Sequence, residues 1–442
     1  MTFEEYPLLA IDIGSSMIKL GVAVYCEDHG GIDVISVSTV PTLGMRDGQI
    51  TDLKLLGQVI QEGIDRVVKR AVCIPREAVI CVSARHSFSL EATESVPIMG
   101  GLVTHEHVQA VVQRCIESKA KSAPEAYRLS HVIPLRFTLD SSTPTLSPEG
   151  KATTHLNLSA SLMYAEAQLY DQLWQLRHTL TVGTQELGGR RSLPLMDVID
   201  DTSLLAEGLL TEEERQGVMT VMDIGADVAK VVIFDHGRPI YMHYNFKAGA
   251  HLSRELQKEF SLDSLDNAEQ IKVTRGTLTP SSQASRVEMI SNGQSKYKQL
   301  SAVTRLLERS TTQQISALRV RLQQDQVWQL VQKGLILTGG SAQLEGLAQQ
   351  TESVLQTSVR VGHPAQSGVH DLVYAPHFAS LNGLLIGGLK RRYESYFSCW
   401  NRPIKAIPSA LDPRPKPISA PLSRRLYKRL SNFISPSANM ST

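Results

Sequence analysis

Asp12-Ile13-Gly14-Ser15-Ser16-Met17-Ile18-Lys19 closes an apolar run, Leu8 to Ile13, and opens an alternating one through Ile18, Leu20, Val22 and Val24. A period of two on both sides of a glycine-serine turn predicts a β-hairpin. Glycine lets the chain curl without a Cβ clash, so such a turn can aim several backbone N–H groups and the Ser15 and Ser16 hydroxyls at one anion. Gly14, Ser15 and Ser16 therefore read as a phosphate cradle. Asp12, at the strand end, would hold a hydrated Mg²⁺, and Lys19, on the returning strand, could reach a phosphate oxygen. An ordinary hairpin with an Asx turn is also compatible with this octapeptide taken alone.

The surroundings narrow the choice. A third strand is predicted over Ile32 to Val40, a helix over 52–70 from the spacing of Leu53, Leu56, Ile60, Ile64 and Val67, and a strand over Val79 to Val82. The same order recurs later: Val218 to Ile224 ends in Asp223-Ile224-Gly225, and strands follow over Val228 to Phe234 and Arg238 to Phe246. Two similar halves imply a duplicated fold. Residues 83–165, with a helix over His105 to Ser118 and strands near His131 to Asp140 and Ala152 to Tyr164, read as an α+β insertion. Residues 261–330 read as mostly helical and polar. A last strand, Gly334 to Thr338, stops at Gly339-Gly340, with Ser341 as a plausible helix cap. Two glycines there permit close approach of a flat adenosine group, although each motif alone could be a tight turn. Glu269 and Lys272, three residues apart, share a helical face and suit a ribose hydroxyl and a base edge; a solvent-exposed salt bridge would use the same spacing.

Composition bounds the class. The chain has 442 residues, 45 basic and 44 acidic side chains and 42% hydrophobic residues, enough for two or three domains. Its five cysteines, Cys26, Cys73, Cys81, Cys115 and Cys399, form no CxxC pair, and the first seven residues carry no basic signal region. A reduced, cytosolic protein is expected, and integral transporters and secreted disulfide scaffolds are excluded.

Net charge hides an asymmetry. Residues 390–442 carry 11 basic and 2 acidic side chains, while the first 389 residues have a net charge of −8. Six prolines between Pro403 and Pro421 make this stretch an extended linker. Beyond it, Leu422, Leu426, Leu430, Phe433 and Ile434 fall on one helical stripe flanked by Arg424, Arg425, Lys428 and Arg429. That is the pattern of a helix lying in an anionic lipid headgroup layer. A helix packed on the body, or a nucleic-acid arm, is the competing use. One copy would bind a membrane weakly, and many copies on one polymer would bind by avidity.

Taken together, the two Asp-x-Gly turns and the double glycine resemble the actin-like ATPase superfamily, and further stretches resemble its FtsA family of bacterial cell-division proteins. These are Gly44-Met45-Arg46-Asp47-Gly48 with Thr51-Asp52-Leu53, His131-Val132-Ile133-Pro134, Leu210 to Arg215, Ile271-Lys272-Val273 with Arg275-Gly276, and Leu337 to Leu347. The resemblance implies an α/β fold of duplicated actin-like (ribonuclease H-like) domains with the α+β insertion subdomain in the first half. Residues 1–82 and 166–200 would form subdomain 1A, 83–165 subdomain 1C, 201–235 and 307–389 subdomain 2A, and 236–306 subdomain 2B. A linker over 390–421 and a membrane helix over 422–434 would follow. ATP would sit on Asp12, Gly14, Ser15, Ser16, Lys19, Asp223, Gly225, Glu269, Lys272, Gly339, Gly340 and Ser341, with Mg²⁺ held through water by Asp12 and Asp223. Implied partners are the C-terminal tail of the tubulin-like protein FtsZ, later division proteins, anionic lipids and further copies of the chain, with no nucleic acid. The implied place is the cytoplasmic side of the inner membrane at the division septum.

Departures from the family pattern temper the expected chemistry. Where the family usually has Gly-Gly-Gly-Thr, this chain has Gly225-Ala226-Asp227-Val228, and Lys230 stands where an acid is common. A Cβ at 226 crowds the turn, and the Asp227 carboxylate would repel a γ-phosphate unless a cation offsets it. Weak or absent ATP hydrolysis is expected, with no catalytic residue assignable. Lys296, Lys298 and Arg305 are basic candidates for the FtsZ tail. The rival reading is an actin-like pilus-assembly ATPase that docks on an inner-membrane partner's peptide, and a metabolic kinase of the superfamily is a third.

Overall fold

The computed structural model describes residues 7–26, 31–46, 48–82, 87–140, 144–183, 189–245, 247–279, 285–364, 373–389 and 397–398. The linker and the amphipathic stretch over 422–434 lie outside the described residues.

Each half of the chain builds a five-stranded mixed sheet. In the first, β1 (Leu8–Ile13) turns into β2 (Met17–Cys26) and β3 (Gly31–Pro41). Helix α1 (Leu53–Ala71) then returns the chain to β4 (Glu77–Val82). Asp52 caps α1 by accepting a hydrogen bond from the Leu55 N–H at 2.9 Å. Its apolar face, including Leu56, Ile60, Ile64 and Val67, packs on Leu9, Ile11 and Leu20. The insertion follows: β5 (Phe88–Pro97), α2 (His105–Lys119), β6 (Tyr127–Leu139) and β7 (His155–Glu166), with α2 packed on β5 and β7. After α3 (Ala167–Gln175), strand β8 (Leu195–Asp200) completes the first sheet, ordered β8-β4-β1-β2-β3.

Helix α4 (Leu204–Leu209) carries the chain into the second half, where β9 (Val218–Ile224), β10 (Ala229–Asp235) and β11 (Arg238–Asn245) form a meander. Helices α5 (Gly249–Phe260) and α6 (Leu265–Arg275), a hairpin of β12 (Arg286–Ser291) and β13 (Gln294–Gln299), and the long α7 (Leu300–Gln324) follow. Strand β14 (Leu335–Thr338), α8 (Leu347–Leu355) and β15 (Val359–Val361) close the second sheet, ordered β11-β10-β9-β14-β15. The two sheets share one topology. In each, an antiparallel meander is followed by two parallel strands laid beside its first member.

Helix α9 (Ala379–Leu389) is buried along its whole length, packing on β1, β2 and β4 of the first half. It also crosses α4, so the two segments that join the halves touch each other. Two elements depart from the expectations. Residues 286–299 form a hairpin rather than a helix, since β12 turns Val287 and Met289 inward by alternation and Asn292-Gly293 takes the positive φ of a two-residue turn, with β13 exposed at every position. Ser341 lies inside a single 3₁₀ turn, Gly340–Gln343, and Gly339 takes the cap position with φ 89°.

Candidate functional site

The matched topology puts two matched turns at the adjoining ends of the sheets. In the first hairpin, Asp12 lies directly across from Lys19, and in the second Asp223 lies directly across from Lys230. Each turn is closed by a glycine N–H donating to the carbonyl three residues on, Gly14 to Met17 at 3.2 Å and Gly225 to Val228 at 2.9 Å. In each half the first strand delivers its carboxylate beneath the turn, facing the lysine of the next strand.

Asp12 is 2% exposed, and its carboxylate accepts from the Lys19 ammonium at 2.6 Å and from the Cys81 thiol at 3.6 Å. Burial tends to lower the Lys19 pKa, but Asp12 outweighs it and the net shift is upward, with Asp223 adding to the pull. The Lys230 ammonium lies 3.3 Å from Asp223 and also contacts Asp201, which directly follows β8 of the other sheet. Burial acts against its charge, yet Asp201 and Asp223 hold its pKa well above the ordinary lysine value. Burial raises the pKa of Asp223, while Lys230 pulls it down. Asp200 is raised by burial and by Asp201; it accepts from the Ser87 hydroxyl and the Thr202 N–H, both at 2.9 Å. Thr202 and Tyr244 share a hydrogen bond at 2.8 Å that again joins the two halves. Removing one member of such a buried pair costs about 3–5 kcal/mol, because the other is left uncompensated.

A second cluster gathers on Gly249, the first residue of α5. Its N–H donates to Gly225 at 3.0 Å, and a Cβ there would lie 2.5 Å from the Ser341 hydroxyl. Ser341 donates to the same Gly225 carbonyl at 3.3 Å. Lys272 donates to the Gly249 carbonyl at 2.9 Å and pairs with Glu269 at 2.7 Å. The ordinary i,i+3 salt bridge thus forms, and it also anchors α6 to α5. Gly339 ties this cluster to the second turn's aspartate: a Cβ there would come within 2.3 Å of Asp223. Gly340 is different, exposed and with nothing within 4 Å of the Cβ position, so it leaves a space that a flat ligand could occupy.

The structure therefore brings Asp12, Gly14 and Lys19 to one turn, and gathers Asp223, Gly225, Gly339, Ser341, Lys272 and Glu269 around the other. Ser15 is half-buried and Ser16 exposed on the first turn. Leu422, Arg424, Arg425, Leu426, Lys428, Arg429, Leu430, Phe433 and Ile434 lie outside the described residues. Sequence inspection missed Asp200, Asp201, Thr202, Tyr244 and Gly249, none of which sits in a recognisable turn motif. It also missed His377, half-buried, hydrogen-bonded to Gln343 at 3.1 Å and lowered in pKa by burial and by Lys19.

The expected Mg²⁺ can be tested against these donors. Asp12 and Asp223 each already carry a lysine ammonium, and among the described residues no three His, Cys, Asp or Glu side chains gather as ligands. Mg²⁺ held through water by one or two carboxylates needs those carboxylates to face it, and here each one faces a lysine ammonium instead.

Comparison with known proteins agrees with this architecture. The profile of the family described as cell division protein FtsA matches residues 220–383. Cell division protein FtsA of Escherichia coli K12 is 25% identical over 390 residues, covering 86% of this chain and 89% of that protein. Its Pseudomonas aeruginosa counterpart is 21% identical, with 87% and 90% covered. Among solved structures, a chain of the PilM-PilN type IV pilus biogenesis complex superposes with a TM-score of 0.62 at 19% identity, covering 88% of this chain and 99% of that one. MreB5 of Spiroplasma citri bound to ADP superposes at 0.50 with 12% identity, covering 88% and 98%. Both share the fold.

Proposed function

We propose that the chain is a member of the FtsA family of actin-like proteins, to which its similarity extends over most of its length, and a cell-division adaptor that binds ATP between its two halves. The observation that carries the nucleotide assignment is the pair of matched turns, each with an aspartate faced by a cross-strand lysine, next to the open space at Gly340. Backbone N–H groups at Ser15 and Ser16, on the turn that Gly14 closes, and the Lys19 ammonium would take phosphates, and Gly339, Gly340 and Ser341 would take the adenosine. Glu269 and Lys272 stand next to that position on α6.

Hydrolysis is expected to be slow or absent. Ala226 and Asp227 replace small uncharged positions at the second turn, and fast phosphoryl transfer depends on electrostatic placement there. The protein would polymerise beneath the inner membrane and hold FtsZ filaments by a surface that includes Lys296, Lys298 and Arg305. It would recruit later division proteins through the insertion and attach to anionic lipid through residues 422–434. Avidity along the polymer would strengthen that attachment.

Sedimentation with anionic vesicles, with and without ATP, tests the adaptor using the full chain and a version lacking residues 422–442. The full chain should pellet and the truncated one should stay in solution; a full chain that stays in the supernatant throughout refutes the tether. The pilus-assembly alternative keeps one observation in its favour, the 0.62 superposition over nearly the whole of the PilM chain. Unchanged membrane localisation after the truncation would favour it.

A further inference from the structure

Lys230 has a side chain that is 1% exposed, and its ammonium joins a carboxylate from each half of the molecule: Asp201, just after β8, and Asp223 on β9. A cation held between carboxylates from the two halves supplies the charge bridge that a divalent ion would otherwise provide. Here the chain supplies the charge itself. Lys19 repeats the arrangement across the cleft, paired to Asp12 in the equivalent register, with its ammonium 3.7 Å from where a Cβ on Gly14 would stand.

We infer that Lys230 is a built-in cation that takes the place of Mg²⁺ between the two turns, so that a nucleoside polyphosphate binds with little dependence on free divalent metal. The inference rests on the nucleotide assignment above. Its physical basis is charge compensation: Asp201 and Asp223 would both repel the ligand's phosphates, and Lys230 permanently offsets one of those two charges. A hydrated Mg²⁺ brought within about 4 Å of that ammonium would meet strong like-charge repulsion even at an effective dielectric constant of about 20.

The test compares the full-length protein with its Lys230→Met variant, by ATP titration in EDTA and in MgCl₂ and by melting temperature with MgCl₂ alone. The unmodified protein should bind ATP in EDTA within about threefold of its affinity in MgCl₂; a loss beyond about tenfold in EDTA overturns the inference. The variant should lose about 100-fold in EDTA and recover most of it in MgCl₂, as Asp201 and Asp223 capture the ion; a variant matching the unmodified protein in both buffers also overturns it. If the unmodified protein binds ATP in neither buffer, the nucleotide assignment fails and the melting curves decide. A melting temperature that MgCl₂ raises in the variant alone supports the built-in cation, and one that it raises in the unmodified protein refutes it. Should the variant not fold, the unmodified protein's own response to MgCl₂ decides in the same sense.

Discussion

Gly383→Ala should destabilise the protein where its halves are joined. Helix α4 leads from the first sheet to the second and α9 leads back, and the two cross in close contact. A Cβ at Gly383 would stand 2.1 Å from the Leu204 carbonyl oxygen and 2.8 Å from its carbon, both backbone atoms that cannot rotate away. Across the same contact, a Cβ at Gly208 would stand 2.3 Å from the Ala379 oxygen. Relieving the clash needs the helices to part by about 1 Å, and a gap of that size forfeits up to about half of each dispersion contact along the crossing. It would also stretch the 3.2 Å hydrogen bond from Asn382 Nδ2 to the Gly208 carbonyl. Overpacking of this kind costs about 3 kcal/mol. At roughly 2 °C per kcal/mol, the melting temperature should fall by about 6 °C in thermal unfolding followed by circular dichroism. Gly217→Ala is the control, since nothing lies within 4 Å of its Cβ position and its melting temperature should not move. A Gly383→Ala protein that melts within about 1 °C of the unmodified one would refute the close-crossing account.

Gly340→Ala should leave the melting temperature unchanged, because its Cβ meets no protein atom, while ATP affinity measured by titration calorimetry falls by about tenfold or more. His131, inside β6, is fully buried and burial lowers its pKa to about 4. The folded state thus resists a proton that the unfolded chain accepts near pH 6.5. The stability is present above pH 6.5 and is lost as pH falls towards 4, by about 3 kcal/mol in all, so His131→Leu should flatten urea-unfolding curves over that window. Arg360 on β15 grips Glu214 through two hydrogen bonds of 2.9 and 2.7 Å, and Arg360→Ala should cost only about 1 kcal/mol by urea unfolding, since both side chains are partly solvated.

Much of the fold was legible because it is written in short-range terms. Strands with a period of two, the helical spacing over 52–70 and the repeated Asp-x-Gly turn each depend on neighbours a few residues apart, and the order in which they recur declares the duplication. The hairpin over 286–299 carries its signal only in its first strand and its turn, where Val287 and Met289 alternate inward and Asn292-Gly293 suits a two-residue loop, while the second strand is polar on both faces. Strand β8 was missed because it pairs in parallel with β4, more than 100 residues earlier, and parallel partners leave no local mark.

By itself, then, the amino-acid order determined the two turns and their aspartates, which follow from backbone sterics and residue spacing. Only the tertiary structure decided where the lysines point. Lys230 reaches Asp201 because two sheets meet end to end, and Gly208 faces Gly383 because two connecting helices cross. Those contacts join residues far apart in the chain, and their energies depend on burial and on distances of a few ångströms, which no local pattern encodes.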